Sequence, residues 1–137
     1  MIFKLQRRTD LALSALRHLG TASGGRLTGT ELAKSVGTSA SFLPQVMAPL
    51  VRAGWVTSER GPGGGYVLTD EANTASLLDV IETTEGTDYQ GRCVMRDAPC
   101  SGDHACVVHA VAAKARDVLV DGFRTTAAIP TARGAEQ

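Results

Sequence analysis

Apolar residues recur at helical spacing near the start of the chain. Within TDLALSALRHLG, residues 9–20, Leu11, Leu13, Ala15, Leu16 and Leu19 fall largely on one side, and Gly20 supplies a stop. A glycine-rich connection, TASGGRL, leads to Thr28-Gly29-Thr30-Glu31, where threonine and glutamate three apart form a capping box. A second helix is therefore expected to open there and run through Val36, with Gly37 closing it. After a tight turn, Phe42, Leu43, Val46, Leu50 and Val51 mark a third helix reaching about Ala53. Ser39 or Ser41 can cap it, and Pro44, suited to a first helical turn, favours Ser41. Pro49 should kink or shorten this helix, because proline lacks the N–H that the helical ladder uses.

Beyond Gly54 the pattern changes period. Residues 55–60, WVTSER, and 66–69, YVLT, alternate as strands around Gly61-Pro62-Gly63-Gly64-Gly65, which predicts a β-hairpin. Residues 76–85 form a short helix opened by Ser76 and Asp79 in capping-box spacing. Val107, Val108, Val111, Ala115, Val118, Leu119, Gly122 and Phe123 make an apolar stripe on a last helix of about five turns. A stripe of that length on so small a body suggests a homodimer interface. The expected architecture is mainly α with a small β-hairpin wing. It comprises a winged helix-turn-helix over residues 1–86, a cysteine-rich loop over 87–106, a dimerisation helix over 107–126 and a disordered tail over 127–137.

A chain of 137 residues supports one compact domain. The opening MIFKLQRRTD has too few apolar residues before its arginines for a signal peptide, and no apolar run approaches a membrane span, so a cytoplasmic location without membrane contact is expected. The formal net charge of zero hides an asymmetry. Through Arg60 the bases are Lys4, Arg7, Arg8, Arg17, Arg26, Lys34, Arg52 and Arg60, against Asp10, Glu31 and Glu59; the remainder has six bases against eleven acids. A polyanion is thus a plausible partner for the first part, where the helix-turn-helix lies. The glycine-rich loop is no phosphate loop, since no Gly-Lys-Ser/Thr follows and the next element is a strand. Beside Arg60 it can instead lie close to a nucleic-acid backbone.

The chemistry concentrates in Cys93, Cys100 and Cys106, the only cysteines, followed by His109 in the pattern C-x6-C-x5-C-x2-H. Their segment holds Pro99, Gly102 and charges but no apolar run, so it reads as an irregular loop that could wrap soft thiolates around one iron–sulfur, zinc or copper(I) centre. Free or redox-active thiols are the alternative. An odd cysteine count argues against structural disulfides. No Ser/His/Asp constellation or nucleotide fingerprint supports an enzyme, which leaves a redox or iron–sulfur carrier protein as the less favoured class. A zinc-stabilised DNA-binding module is nearer, although zinc sites more often use closely spaced cysteine pairs.

The stretch Leu50-Val51-Arg52-Ala53-Gly54-Trp55-Val56 leading into Arg60-Gly61-Pro62-Gly63-Gly64-Gly65-Tyr66 resembles the wing of the Rrf-type family of bacterial iron–sulfur transcription regulators. The helix containing Leu77, Leu78 and Asp79 and the three-cysteine loop also sit where that family has them. The resemblance implies a homodimer that binds double-stranded promoter DNA and carries a four-iron or two-iron cluster on Cys93, Cys100 and Cys106. It places Ser39, Ser41, Phe42 and Gln45 of the recognition helix, and Arg60 and Gly61 of the wing, against DNA. For a fourth ligand it offers two residues. Thr9-Asp10-Leu11-Ala12-Leu13 is similar to the opening of nitric-oxide-sensing members, whose aspartate ligates across the dimer, so Asp10 of the partner subunit is favoured. His109 instead resembles the histidine of the cluster-biogenesis regulators. The six residues between Cys93 and Cys100 exceed by one the spacing of both groups. The function expected is regulation, by a repressor that senses nitric oxide or redox and iron status, rather than catalysis.

Overall fold

The computed structural model describes residues 4–93, 95–96, 98–100, 103 and 105–130. Helix α1 spans Arg7–Thr21, strand β1 Arg26–Leu27, α2 Gly29–Val36, α3 Leu43–Arg52, β2 Val56–Glu59, β3 Gly65–Leu68, α4 Leu77–Glu85 and α5 His109–Thr125. Short 3-10 turns at Ser23–Gly25 and Asp70–Thr74 join α1 to β1 and β3 to α4. This is a mainly α winged helix-turn-helix with a small sheet, as the pattern predicted.

The core forms where α1, α2 and α3 turn their apolar faces together. Leu11, Ala12, Ala15, Leu16 and Leu19 of α1 are buried against Leu32 and Ala33 of α2 and Leu43, Val46, Met47 and Leu50 of α3. Ala12 and Ala15 are small enough to let neighbouring helices approach closely, and the larger leucines fill the space beside them. Truncating a fully buried side chain such as Leu16 to alanine would cost about 2–5 kcal/mol.

Local chemistry sets the helix ends. At α2 the Thr28 hydroxyl accepts the Glu31 N–H at 3.2 Å while the Glu31 carboxylate accepts the Thr28 N–H at 2.8 Å, completing the predicted capping box. Gly37 ends α2 at φ 75°, a left-handed conformation open to glycine at no steric cost. Thr38 then donates to the Ala33 carbonyl at 2.9 Å, turning the chain towards α3. The Ser76–Asp79 box likewise opens α4.

Four expectations need correction. The third helix begins at Leu43, and the serine that organises its approach is Ser39, whose hydroxyl accepts the Phe42 N–H at 3.1 Å; Ser41 only meets the Ser39 hydroxyl. Pro49 does not shorten α3. It is buried in the core, its carbonyl accepts the Ala53 N–H at 3.0 Å, and the acceptor its missing N–H forgoes belongs to the exposed Gln45, within reach of water.

The wing is not a bare hairpin. β1 adds to β3, giving a three-stranded antiparallel sheet in the order β1-β3-β2 with Arg26 opposite Val67 and Thr57 opposite Val67 on the other side. Nor does the tail begin at residue 127. Leu77 donates to the Thr126 carbonyl at 2.8 Å and Ala128 to that of Ala75 at 2.9 Å, and Ala128 and Ile129 are buried in the core. Residues 131–137 of the expected tail lie outside the described residues.

The apolar stripe of α5 divides between two faces. Leu119, Val120 and Phe123 line a cavity of about 170 Å³ with Leu78 and Ile81 of α4 and Leu5. Val111, Ala115 and Val118 open away from the body, with Val111 74% and Val118 68% exposed. Among the described residues no helix is long and apolar enough to cross a membrane.

Candidate functional site

Two surfaces carry the chemistry. The first is the helix-turn-helix and wing. Ser39, Ser41 and Gln45 are exposed at and just beyond the turn before α3, where hydroxyl and amide groups can reach phosphates or base edges. Phe42 is half-buried and packs against the core, so its ring anchors the start of α3. Arg60 and Gly61 sit exposed at the wing tip.

The wing sequence has a steric explanation. A Cβ on Gly64 would lie 2.5 Å from the Glu59 carbonyl oxygen, and one on Gly65 would lie 2.4 Å from that of Leu27. Only glycine lets β3 pass between β1 and the wing turn. Gly64 donates back to the Gly61 carbonyl at 2.8 Å, which closes the tip, and Thr69 donates to the Gly54 carbonyl at 2.6 Å, which closes the base. Because Gly65 presents no side chain, Arg26 on β1 can reach across β3 to pair with Glu59 on β2. Both side chains are well exposed, so this pair aligns the strands more than it stabilises them.

The second surface is the cysteine loop. The Sγ atoms of Cys93, Cys100 and Cys106 all lie within 4.8 Å of one another, and those of Cys93 and Cys106 are 3.6 Å apart. Cys100 is buried at 1% exposure, while Cys93 and Cys106 are half-buried. The backbone builds this convergence. Cys93 donates its N–H to the Ala98 carbonyl at 3.0 Å and Cys100 to that of Gly91 at 2.8 Å, so Arg92 and Pro99 face each other as a β-bridge with a cysteine next to each. Cys106 stands just before α5, its carbonyl accepting the N–H of His109 at the start of that helix. Side chains fasten the loop to the body: Tyr89 donates to Glu82 of α4 at 2.5 Å, and Arg116 of α5 donates to the Arg92 carbonyl at 2.7 Å.

The electrostatics of this loop favour thiolate at Cys93. The Met95 N–H points at the Cys93 Sγ at 3.4 Å, and the Cys106 N–H at the Cys100 Sγ at 3.3 Å. The Met95 N–H is the main influence that lowers the Cys93 thiol to about 7. At Cys106 the Val108 N–H also pulls downward, but desolvation and the neighbouring sulfurs of Cys100 and Cys93 outweigh it and leave the thiol raised. Three crowded sulfurs cannot all carry charge without a cation between them, which suits this donor set to a thiophilic metal or cluster. Metal–thiolate bonds of about 2.3 Å put two sulfurs on one tetrahedral metal about 3.8 Å apart, close to the Cys93–Cys106 separation.

Of the two fourth-ligand candidates, neither joins the sulfurs within one chain, where the group comprises only the three cysteines among the described residues. His109 is half-buried in the first turn of α5. Asp10 is exposed on α1, while its neighbour Thr9 is fully buried, bonding to Thr84 at 2.7 Å and to Glu85 at 2.5 Å. Glu85 also accepts the Gln6 N–H at 2.7 Å, so the end of α4 fixes the start of α1. Residue patterning gave no sign of Arg116, of this clamp or of the amides aimed at sulfur.

This arrangement, a glycine-built wing behind a helix-turn-helix with a thiol centre hung on the final helix, is that of a DNA-binding transcription regulator. Residues 5–127 match the family model Rrf2, described as an iron-dependent transcriptional regulator. The chain is 31% identical over 109 residues to the HTH-type transcriptional regulator IscR of Escherichia coli, an alignment that covers 79% of this chain and 67% of that protein. Its fold is similar to that of CymR, the global cysteine regulator of B. subtilis, with a TM-score of 0.73, 23% identity and coverage of 93% and 94% of the two chains. It is also similar to T. potens IscR, with a TM-score of 0.68, 24% identity and coverage of 92% and 83%. The chain belongs to the Rrf2 family of transcription regulators.

Proposed function

We propose that this regulator is a cytoplasmic homodimer that binds promoter DNA sequence-specifically, as a repressor, and responds to nitric oxide or to redox and iron status through an iron–sulfur cluster. The observation that carries the reading is the convergence of three sulfurs within 4.8 Å on a loop fastened to α5. Cys93, Cys100 and Cys106 hold the cluster, and the fourth ligand is Asp10 of the partner subunit, with His109 as the alternative. When bound, the cluster supplies iron that reacts with nitric oxide and oxidants or is lost under iron scarcity.

The chain's own part is to link that loop to DNA. Ser39, Ser41 and Gln45 meet the duplex with Phe42 bracing them, and Arg60 and Gly61 follow the backbone. Ordering of the cysteine loop is felt at α5 through Arg116 and at α4 through Tyr89, and α4 in turn holds the start of α1 through Glu85. The open face of Val111, Ala115 and Val118 serves the dimer. Such a chain of contacts can set the separation of two recognition helices.

The test is anaerobic purification followed by metal analysis and visible spectroscopy. The expected protein is brown, and each of Cys93→Ala, Cys100→Ala and Cys106→Ala bleaches it while the winged helix keeps its helical circular dichroism. Reconstituted wild-type protein that holds zinc and no iron would instead make the site a structural zinc centre. The 31% identity to IscR favours a second reading, in which cluster status itself rather than nitric oxide is the signal. Operator binding by holo-protein and cluster-free protein, measured with and without nitric oxide, separates the two.

A further inference from the structure

The three cysteines are not equivalent, and the difference assigns the site a second chemistry. Cys93 and Cys106 place their sulfurs in contact at 3.6 Å, and both are open enough for a small oxidant to reach. Cys100 is 1% exposed, and its sulfur accepts the Cys106 N–H at 3.3 Å while its own N–H is held by the Gly91 carbonyl. We infer that in the metal-free chain Cys93 and Cys106 form an intramolecular disulfide when a hydroperoxide oxidises them, and that Cys100 keeps its thiol. The inference concerns the chain without metal and does not depend on which metal the loaded site holds.

The chemistry balances in two steps. A thiolate of the pair attacks the outer oxygen of the hydroperoxide, the O–O bond breaks, and the departing alkoxide takes up the proton the thiol released and leaves as the alcohol, or as water where the oxidant is hydrogen peroxide; the attacking sulfur becomes a sulfenic acid. The second sulfur then displaces hydroxide from it, which takes up that thiol's proton and departs as water. Two thiols and one hydroperoxide thus become one disulfide, one alcohol and one water. The bond closes the segment from 93 to 106 on itself, next to the Arg92–Pro99 bridge. It also consumes two of the three soft ligands, so the oxidised chain cannot take up metal until it is reduced. Oxidation therefore holds the protein in its metal-free state after the oxidant has gone.

The experiment uses the full-length chain stripped of metal by a chelator, treated with one equivalent of hydrogen peroxide, alkylated and digested without reduction. Cleavage after Arg92 and Arg96 and before Asp103 puts the three cysteines on separate peptides. The expected result is a linked pair carrying Cys93 and Cys106, lighter by two hydrogens than the sum of its peptides, with Cys100 alkylated. Cys100→Ser should keep the linkage, and Cys93→Ser or Cys106→Ser should lose it. A disulfide through Cys100, a bond between two chains, or three alkylated thiols after peroxide would overturn the inference, and the wild-type map decides even if a variant folds poorly. Iron content of anaerobically purified protein is measured in parallel. A failure of the disulfide thus leaves the cluster reading standing, and a zinc-only protein leaves the disulfide standing.

Discussion

The Arg116 guanidinium, two turns into α5, donates a 2.7 Å hydrogen bond to the carbonyl of Arg92, the residue immediately before Cys93. A charged donor on a helix thereby holds the backbone of the cysteine loop. Removing a bond of this kind at a partly exposed position costs about 1 kcal/mol, or roughly a fivefold change in an equilibrium. Arg116→Ala should therefore release iron to an anaerobic chelator several-fold faster while the thermal unfolding of the winged helix changes little. Arg116→Lys should recover part of the loss. An unchanged release rate would mean that Arg116 merely rests on the loop.

Arg60 stands exposed at the wing tip, beside a turn whose glycines leave nothing to hold a nucleic-acid backbone away. Arg60→Ala should weaken operator binding and reduce the slope of log affinity against log salt by roughly one phosphate contact per subunit. A titration of operator binding across a salt series measures both. Binding that is identical at every salt concentration would take Arg60 out of the interface.

How much of this was legible beforehand depended on whether the cause was local. The capping boxes at Thr28 and Ser76 lie within four residues, so α2 and α4 could be placed from composition and spacing. The start of α3 could not be resolved, because Ser39 and Ser41 offer the same hydroxyl two residues apart and only the folded turn chooses Ser39. β1 has two residues, too few for any period, and exists because β3 pairs with it. The docking of Ala128 beside Ala75 is likewise set by a distant partner. On α5 the stripe was legible from Val111 on, whereas Val107 and Val108 lie before the helix starts at His109; a single stripe and two faces give nearly the same pattern in a helix that touches the body along one side. For the thiol site, the donor set was plain from three cysteines in fourteen residues, whereas the N–H groups aimed at sulfur belong to backbone geometry.

The capping box of α2 gives a prediction in which pH has a definite sign. The Thr28 backbone N–H, and after it the Thr28 hydroxyl, hold the Glu31 carboxyl below the usual carboxylate range. A carboxyl whose value is depressed by folding contributes stability above its unfolded-state value, and that contribution fades as pH falls through the folded value. The stability difference between wild type and Glu31→Gln should therefore be largest near neutral pH and shrink in acid, as read by urea unfolding at a series of pH values. Thr28→Ala removes the other half of the box and should cost about 1 kcal/mol. A difference that grows in acid would contradict the assignment.

Asp10 and His109 make the last prediction, because they stand on different elements and lead to different sensors. Asp10 is exposed on α1 next to the buried Thr9, whose bonds to Thr84 and Glu85 fix the helix start, so its carboxylate is presented from a rigid position. A carboxylate is a hard, labile ligand among three soft thiolates, which would make one iron the easiest to attack. Asp10→Ala should therefore change the visible spectrum and the nitric-oxide reactivity of the holo-protein, while His109→Ala changes little. Nitric oxide should release operator DNA from the wild type, as followed by fluorescence anisotropy under anaerobic conditions. If His109→Ala is the variant that disturbs the spectrum and Asp10→Ala is silent, the ligand comes from α5 and the protein works as an IscR-like reporter of cluster supply. If holo-protein and nitric-oxide-treated protein hold the operator equally well, nitric oxide is not the signal, whichever residue ligates.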